Sequence, residues 1–416
     1  MALGAGTGLL LNLGSEVEVL QVFLTDGLLY VIGQAFVSLL TVLIVPVVVV
    51  SLVSGTAALN DIRRLGRVGI KTILFYLTTT ALAISMALLA AIIVSPGEGF
   101  DLLPDEEVTV REAPPLTEVV IGLFPSNIVE AAAEGQILQV IVFSMLFGMA
   151  MTMAGAAGER VLSLFQDLME IVMKLVTIVI WLAPIGVFAL IARVFATEGF
   201  EAFPPLIGYM TVVMFVLIFH GLVVYPVLLK FVGGLSPAKF LKKIWPAQAF
   251  AFSTASSAAT IPITLRAVEK RMGVDNSVAS FTVPLGATVN MDGTAIMQGV
   301  ATVFIAQAYG LSLGVPEYLM VILTATLASV GTAAVPGAGL IMLAMVLNQV
   351  GLPVEGIALI IGVDRIIDML RTAVNITGDA TATCIVASSE NALDRDIFDG
   401  DSEDNGSSPG SLEPKN

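Results

Sequence analysis

The sequence predicts an all-α polytopic membrane protein: about eight transmembrane helices with two re-entrant helical hairpins. Three observations point there. First, AVILMFWYC residues make up 56% of the 416 positions, before any of the 38 glycines is counted, and only 13% are charged. Soluble domains run to about 45–50% apolar with glycine included and about 25% charged. Second, long apolar runs alternate with short charged loops, and mean hydropathy is +0.94. Third, two late apolar stretches are broken near their centres by Gly, Pro, Ser and Thr.

The remaining composition narrows the function classes. One cysteine, Cys384, excludes a disulfide framework and any Cys-built metal site. One histidine, His220, excludes His-pair metal motifs. A net charge of −15 argues against a nucleic-acid partner. Cys384 reads as a small buried hydrophobe, and His220, inside an apolar helix, as a packed or interfacial side chain.

Residues 2–13 are too short to cross about 30 Å at about 1.5 Å per residue. No basic stretch precedes them, so they read as a truncated first helix rather than a signal peptide. Spanning helices are expected at 28–59, 70–94, 137–153, 161–196 and 205–231. Arg63, Arg64, Arg67 and Lys71 form one basic loop, and Lys239, Lys242 and Lys243 a second. Alternate counting puts both on one side, which reads as cytoplasmic. The loop 97–118 on the other side carries −6. The tail 391–416 carries −5 and reads as disordered and cytoplasmic.

A third cluster, Arg266, Lys270 and Arg271, belongs on the cytoplasmic side too, yet only 240–265 separates it from the second. That segment is expected to enter and turn back. Its centre, 252–262, is small, hydroxylated and ends in Pro262. Segment 318–350, broken over 328–339, is the second hairpin. Each hairpin precedes a helix with polar residues inside it, 281–308 and 356–389. Two broken segments in corresponding positions point to a transporter binding site near the midplane. Unwound backbone is tolerated there only where it is buried or lines a cavity.

Asp364, Asp368, Arg371, Asn375 and Asp379 are spaced 4, 3, 4 and 4, which puts them on one helical face. A charge at mid-bilayer costs about 2.5–3.5 kcal/mol even on insertion scales. The stripe must therefore face protein, water or ligand. Pairing of Asp368 with Arg371 alone would leave Asp364, Asp379 and Asp292 uncompensated. Hard cations or protons would balance them. Arginine presents a fork of donors suited to a carboxylate, and Asp368 could take an ammonium group. That is the map of an acidic amino acid. A C4-dicarboxylate would satisfy Arg371 but leave Asp368 unpaired. An amino-acid-gated channel, and an intramembrane aspartyl protease built on Asp292 and Asp379, are the readings from other classes. Neither explains Arg371 with two hairpins, and no enzyme activity is expected.

Four motifs, in this order, carry a resemblance. They are Ser256, Ser257, Ala258, Ala259 and Thr260; Asn290, Met291, Asp292, Gly293 and Thr294; Val335, Pro336, Gly337, Ala338 and Gly339; and the run from Asp368 through Arg371 and Thr372 to Asn375. Together with the stretch 183–190 they resemble the dicarboxylate/amino acid:cation symporters, the glutamate transporter homologues, over 28–389. The resemblance implies a glutamate-transporter-like elevator fold with inverted repeats, for which the family is a known example, and a homotrimer in the prokaryotic inner membrane. Residues 1–65 and 97–200 would form the trimerisation scaffold in contact with lipid. Residues 66–96, 201–235 and the hairpin–helix core 236–390 would form the sliding transport domain. The 391–416 tail follows.

By the same resemblance, Arg371 binds the side-chain carboxylate and Asp368 the amino group of L-aspartate or L-glutamate. Thr372, Asn375, Thr294, Ser256, Ser257 and the backbone of Val335, Pro336, Gly337, Ala338 and Gly339 complete the site, with the second hairpin as gate. Transported sodium, with protons as the alternative, would bind at three places, and no organic cofactor is implied. One uses Asp379 with carbonyls of Gly286, Asn290 and Asn375. Another uses Thr288 and Met291 with Ser329, Val330 and Thr332. The third uses Asp292, Asn290, Tyr76, Thr79 and Thr80. The sequence departs from the family in its short first helix, in Ser-Ser-Ala for three serines, and in Ala255 and Met369 where archaeal and animal members respectively carry arginine.

Overall fold

The computed structural model describes residues 2–13, 21–58, 66–100, 124–134, 136–329 and 337–400. Among them every regular element is helical, apart from one isolated antiparallel bridge between Val274 and Leu393. The apolar helices fit a membrane protein. Val22–Ser54, Arg67–Val94 and Gly199–Phe231 are each long and apolar enough to cross a bilayer, and the bent pair Ala156–Val179 and Trp181–Thr197 makes a fourth span if taken as one.

The first helices are α1 (Ala2–Leu13), α2 (Tyr30–Val42) and α3 (Ile44–Ala58). The run expected as one helix over 28–59 divides at Leu43, because Pro46 has no N–H to return to the Val42 carbonyl. Next come α4 (Arg67–Val94), α5 (Ile137–Met153) and α6 (Ala156–Glu198). Helix α6 bends by 42° between Val179 and Trp181. Pro184, one turn on, removes the bond to Ile180 and crowds its carbonyl. Helices α7 (Phe203–Phe219) and α8 (Tyr225–Phe231) join through a widened turn, His220–Val224, where the Tyr225 N–H returns to the His220 carbonyl. Such π turns appear mostly as single insertions and frequently at functional sites.

The first hairpin comprises α9 (Pro237–Thr254) and α10 (Ser257–Arg266). Ala255 takes φ +50° and closes α9 with an N–H bond of 2.8 Å to the Ala251 carbonyl. Ser256 then caps α10, its hydroxyl accepting the Ala259 N–H at 3.3 Å. Arg271 returns far enough to donate to the Lys243 carbonyl near the start of α9, at 3.4 Å. The segment therefore doubles back on itself.

Helices α11 (Asn276–Val289) and α12 (Asp292–Ala308) correct the single helix expected over 281–308. Asn290 and Met291 leave helical geometry, at φ −93°, ψ 83° and φ −110°, ψ 43°. Side-chain amides stabilise the break: Asn375 Oδ1 accepts the Gly293 N–H at 2.7 Å, and Asn290 Nδ2 donates to the Asn375 carbonyl at 3.1 Å. The second hairpin has arms α13 (Val315–Ser329) and α14 (Ala338–Gln349). Its tip residues Val330, Thr332, Val335 and Pro336 lie outside the described residues.

The helix expected over 356–389 is also divided. A short turn, Ile357–Ile360, precedes α15 (Asp364–Ser389). Beyond it, residues 391–400 are ordered, which corrects the tail boundary: α16 (Arg395–Asp399) follows the Val274–Leu393 bridge. Phe398 is fully buried among Phe240, Ile244 and Met272, and Lys243 Nζ donates to the carbonyls of Ile397 and Phe398 at 2.7 and 2.9 Å. An aromatic anchor and a buried ammonium on the last carbonyls give this stretch the apolar burial a disordered tail lacks. The remainder of the tail and most of the acidic loop lie outside the described residues.

Helix α15 is the axis of the functional region. Helices α4, α7, α9, α10, α11 and α12 all pack against it. Most of its residues from Arg371 to Ala387 are buried, polar ones included.

Candidate functional site

Asp364, Asp368, Arg371, Asn375 and Asp379 are all buried, as their common face requires. They divide into two clusters. The first centres on Arg371, which is 2% exposed. Its Nη2 donates to Asp368 Oδ1 at 2.6 Å and its Nη1 to Asp364 Oδ1 at 3.2 Å. Asp364 is therefore not left uncompensated, as expected from pairing of Asp368 alone: one guanidinium serves two acids. The start of α14 approaches this group. A Cβ added to Gly339 would lie 2.9 Å from Arg371 Nη1 and 3.0 Å from its Cζ, so the glycine lets α14 approach without displacing the guanidinium.

Around this cluster, Thr372 is buried and its hydroxyl returns to the Asp368 carbonyl at 2.8 Å. Thr294 is buried in the first turn of α12, with its hydroxyl 4.0 Å from Met291 Sδ. Asn375 links the two clusters, accepting from Gly293 and donating to Met291 Sδ at 3.4 Å. Ser256 and buried Ser257 sit at the tip of the first hairpin, whose arm α10 packs on α15. Gly337, in the left-handed conformation at φ +82°, and buried Ala338 begin α14.

The second cluster collects oxygen acceptors at the Asn290–Met291 break. Asp379 accepts from Asn290 Nδ2 at 2.9 Å. A Cβ on Gly286 would lie 2.5 Å from Asp379 Oδ1 and 2.6 Å from the Tyr76 hydroxyl, so these three meet at one point. Tyr76 donates to the Thr282 carbonyl at 3.0 Å, and Thr79 to the Tyr76 carbonyl at 3.1 Å. Thr80 donates to Asp292 Oδ1 at 2.6 Å. Asn290 Oδ1 is buried with no donor among the described residues. An oriented acceptor left open beside two carboxylates suits a hard cation bound through oxygen. The groups gathered here are carboxylate, amide, hydroxyl and carbonyl oxygens; no group of three His, Cys, Asp or Glu able to hold a metal occurs among the described residues.

The set built on Thr288 and Met291 is only partly brought together. The Thr288 hydroxyl bonds its own helix at the Leu285 carbonyl (3.0 Å) and the Ser329 hydroxyl bonds the Thr326 carbonyl (2.8 Å). Val330 and Thr332 fall outside the described residues.

Two further residues, not nominated from the sequence, contact this cluster. His220 is fully buried, and its Nε2 lies 3.1 Å from Asp292 Oδ2. Tyr225 donates to the same oxygen at 2.9 Å, and the two rings meet edge-on with centroids 4.6 Å apart. Both flank the π turn, which aims them inward together. The available signal was a lone polar ring inside an apolar spanning helix, which by default marks a functional position.

Against known proteins, residues 1–389 match the model of the sodium:dicarboxylate symporter family. The chain is 36% identical over 385 residues to the proton/glutamate-aspartate symporter of Escherichia coli (strain K12), covering 90% of this chain and 88% of that one. It is 34% identical over 365 residues to the proton/sodium-glutamate symport protein of Bacillus caldotenax, covering 86% of each. It is 33% identical over 443 residues to excitatory amino acid transporter 2 of Homo sapiens, covering 92% of this chain and 76% of that one.

Proposed function

The chain belongs to the sodium:dicarboxylate symporter family, and from that membership we propose that it is a secondary active symporter importing L-aspartate or L-glutamate on a cation gradient. One observation carries the substrate class: a buried arginine beside an aspartate, under a hairpin that approaches it through a glycine. The Arg371 guanidinium takes the side-chain carboxylate as a fork. Asp368 turns to the ammonium group. Thr372, Asn375, Thr294 and the hairpin tips at Ser256, Ser257 and Gly337–Gly339 enclose the ligand. The named substrates of the bacterial relatives, glutamate and aspartate, support this choice.

Sodium is the proposed coupling ion, with protons as its alternative. The support is the acceptor-rich second cluster and the ions in the relatives' names. Asp379, Gly286, Asn290 and Asn375 hold one cation, and Asp292 with Tyr76, Thr79 and Thr80 another. Thr288, Met291 and Ser329, with Val330 and Thr332, form the third position once the second hairpin closes. The proposal includes a homotrimer, an elevator movement of the transport domain, and no enzymatic step. It also puts the chain in a prokaryotic cell membrane with a cytoplasmic C-terminus, on the strength of the basic loops and bacterial relatives.

Uptake of labelled L-aspartate into proteoliposomes tests it, under a sodium gradient, a proton gradient, or neither. Accumulation is expected with at least one gradient. Equal uptake in all three overturns the coupling. Better competition by succinate or fumarate than by glutamate makes the protein a dicarboxylate carrier instead.

A further inference from the structure

The Arg371 guanidinium has five N–H donors and carries two acids at once. Asp368 lies one turn before it at 2.6 Å from Nη2, and Asp364 two turns before it at 3.2 Å from Nη1. Both are buried, at 6% exposure each. Each acid takes one donor, one on each terminal nitrogen, so a ligand carboxylate that forks across Nη1 and Nη2 meets both acids at those atoms. Asp368 has a second use once the ligand arrives, because it can turn to the ammonium group. Asp364 has none.

Position distinguishes them further. Asp364 is the first residue of α15, where the helix dipole favours a carboxylate. Asp368 lies a turn inside the helix and lacks that support. The contact to Asp364 is also the longer of the two, so it is the one a ligand breaks first.

We infer that Asp364 is a built-in competitor for the substrate carboxylate. In the empty site it neutralises a buried arginine that would otherwise be strongly destabilising. An acidic amino acid replaces it on Nη1. An amino acid with no side-chain carboxylate has nothing to exchange for it. Asp364 thus sets the affinity for acidic ligands and holds Arg371 ready, without itself contacting the ligand. This inference rests on the assignment of Arg371 to the ligand carboxylate.

The test is ligand binding to purified full-length protein, by calorimetry at saturating sodium and fixed pH, for Asp364→Asn, Asp364→Ser and Arg371→Ala. Removing the competitor destabilises the empty state alone, so Kd for L-aspartate falls by about tenfold, the low end for one charge-assisted bond. The affinity ratio of aspartate over asparagine rises by the same factor, a change that general loosening does not produce. The aspartate-induced rise in Tm also grows relative to wild type. Asp364→Ser carries the same expectation with less bulk if the Asn variant does not fold. Unchanged or weaker aspartate binding in the folded variant, with Arg371→Ala inactive in binding, overturns the role of Asp364 and leaves the substrate site standing. Undiminished aspartate binding in Arg371→Ala overturns the site itself, and the inference with it.

Discussion

Gly286→Ala is a steric probe of the cation cluster. The new methyl would sit 2.5 Å from Asp379 Oδ1, 2.6 Å from the Tyr76 hydroxyl and 2.7 Å from Asp379 Cγ. Ordinary contact begins near ~3.5 Å, so the cluster must open by roughly 1 Å. Neither neighbour yields freely. Asp379 is held by Asn290 at 2.9 Å and Tyr76 by the Thr282 carbonyl at 3.0 Å, and both are buried. Overpacking of this kind costs about 1–3 kcal/mol, equivalent to roughly 5- to 150-fold in cation affinity. The Arg371 cluster is untouched by the methyl. The sodium concentration for half-maximal aspartate binding should therefore rise by that factor, with aspartate Kd at saturating sodium nearly unchanged. Gly6→Ala, where nothing lies within 4 Å, is the control for glycine replacement as such. If the folded Gly286→Ala protein keeps wild-type sodium dependence, the Gly286–Asp379–Tyr76 meeting point does not hold the ion.

Other expectations follow from single contacts. His220→Ala leaves Asp292 Oδ2 with Tyr225 alone, a loss of about 1.5–3 kcal/mol for a bond to a charged group; cation dependence should weaken, His220→Gln should restore part of it, and wild-type behaviour in the alanine variant would make His220 mere packing. Phe398→Ala should lower stability by about 3–5 kcal/mol as a large buried-aromatic truncation, seen as a drop in Tm, and an unchanged Tm would mean α16 is not docked in solution. Lys71 hydrogen-bonds Glu390, with Arg67 adding a 3.4 Å pair, and these hold the Glu390 carboxyl below its usual range. A depressed carboxylate stabilises the fold above its unfolded pKa of about 4.3 and loses that contribution as pH falls through the lower folded value. Thermal stability should fall less steeply on acidification in Glu390→Gln than in wild type; parallel curves would remove Glu390 from the acid response.

Much of the helical order was legible because membranes enforce it. The first hairpin could be placed from charge order alone: three basic clusters cannot share a side unless 240–265 returns. The divisions inside helices were less visible. Pro46 and Pro184 are local signals, readable in retrospect, whereas the Asn290–Met291 break depends on Asn375, which is 85 residues away in sequence from Asn290. Asn290, Asp292 and Gly293 are turn formers at the break, but polar residues inside an apolar helix read equally well as ligand-binding groups. The charge stripe nominated Arg371, Asp368 and Asp379, and the structure buries all three. Tyr76, Thr79 and Thr80 carry no signal of their own and entered only through family resemblance. His220 is packed, as its setting suggested, but its contact with Asp292, on another helix, and the widened turn that places it are not encoded in composition. The tail boundary was misplaced since acid content outweighed one buried aromatic, Phe398.

The anchoring of α16 makes the two hairpins mechanically unlike. The first is bolted at its base, where Lys243 holds the carbonyls of Ile397 and Phe398 and the Val274–Leu393 bridge ties its exit. Swinging it outward would tear an ammonium from buried acceptors. A practical rule for protein engineering follows. Affinity tags, fluorescent fusions and protease sites belong beyond Gly400. Trimming the chain back to Ser389, where the last long helix ends, would remove two carbonyl acceptors from buried Lys243 and loosen an arm whose tip lies 12 residues further along the sequence, at Ala255.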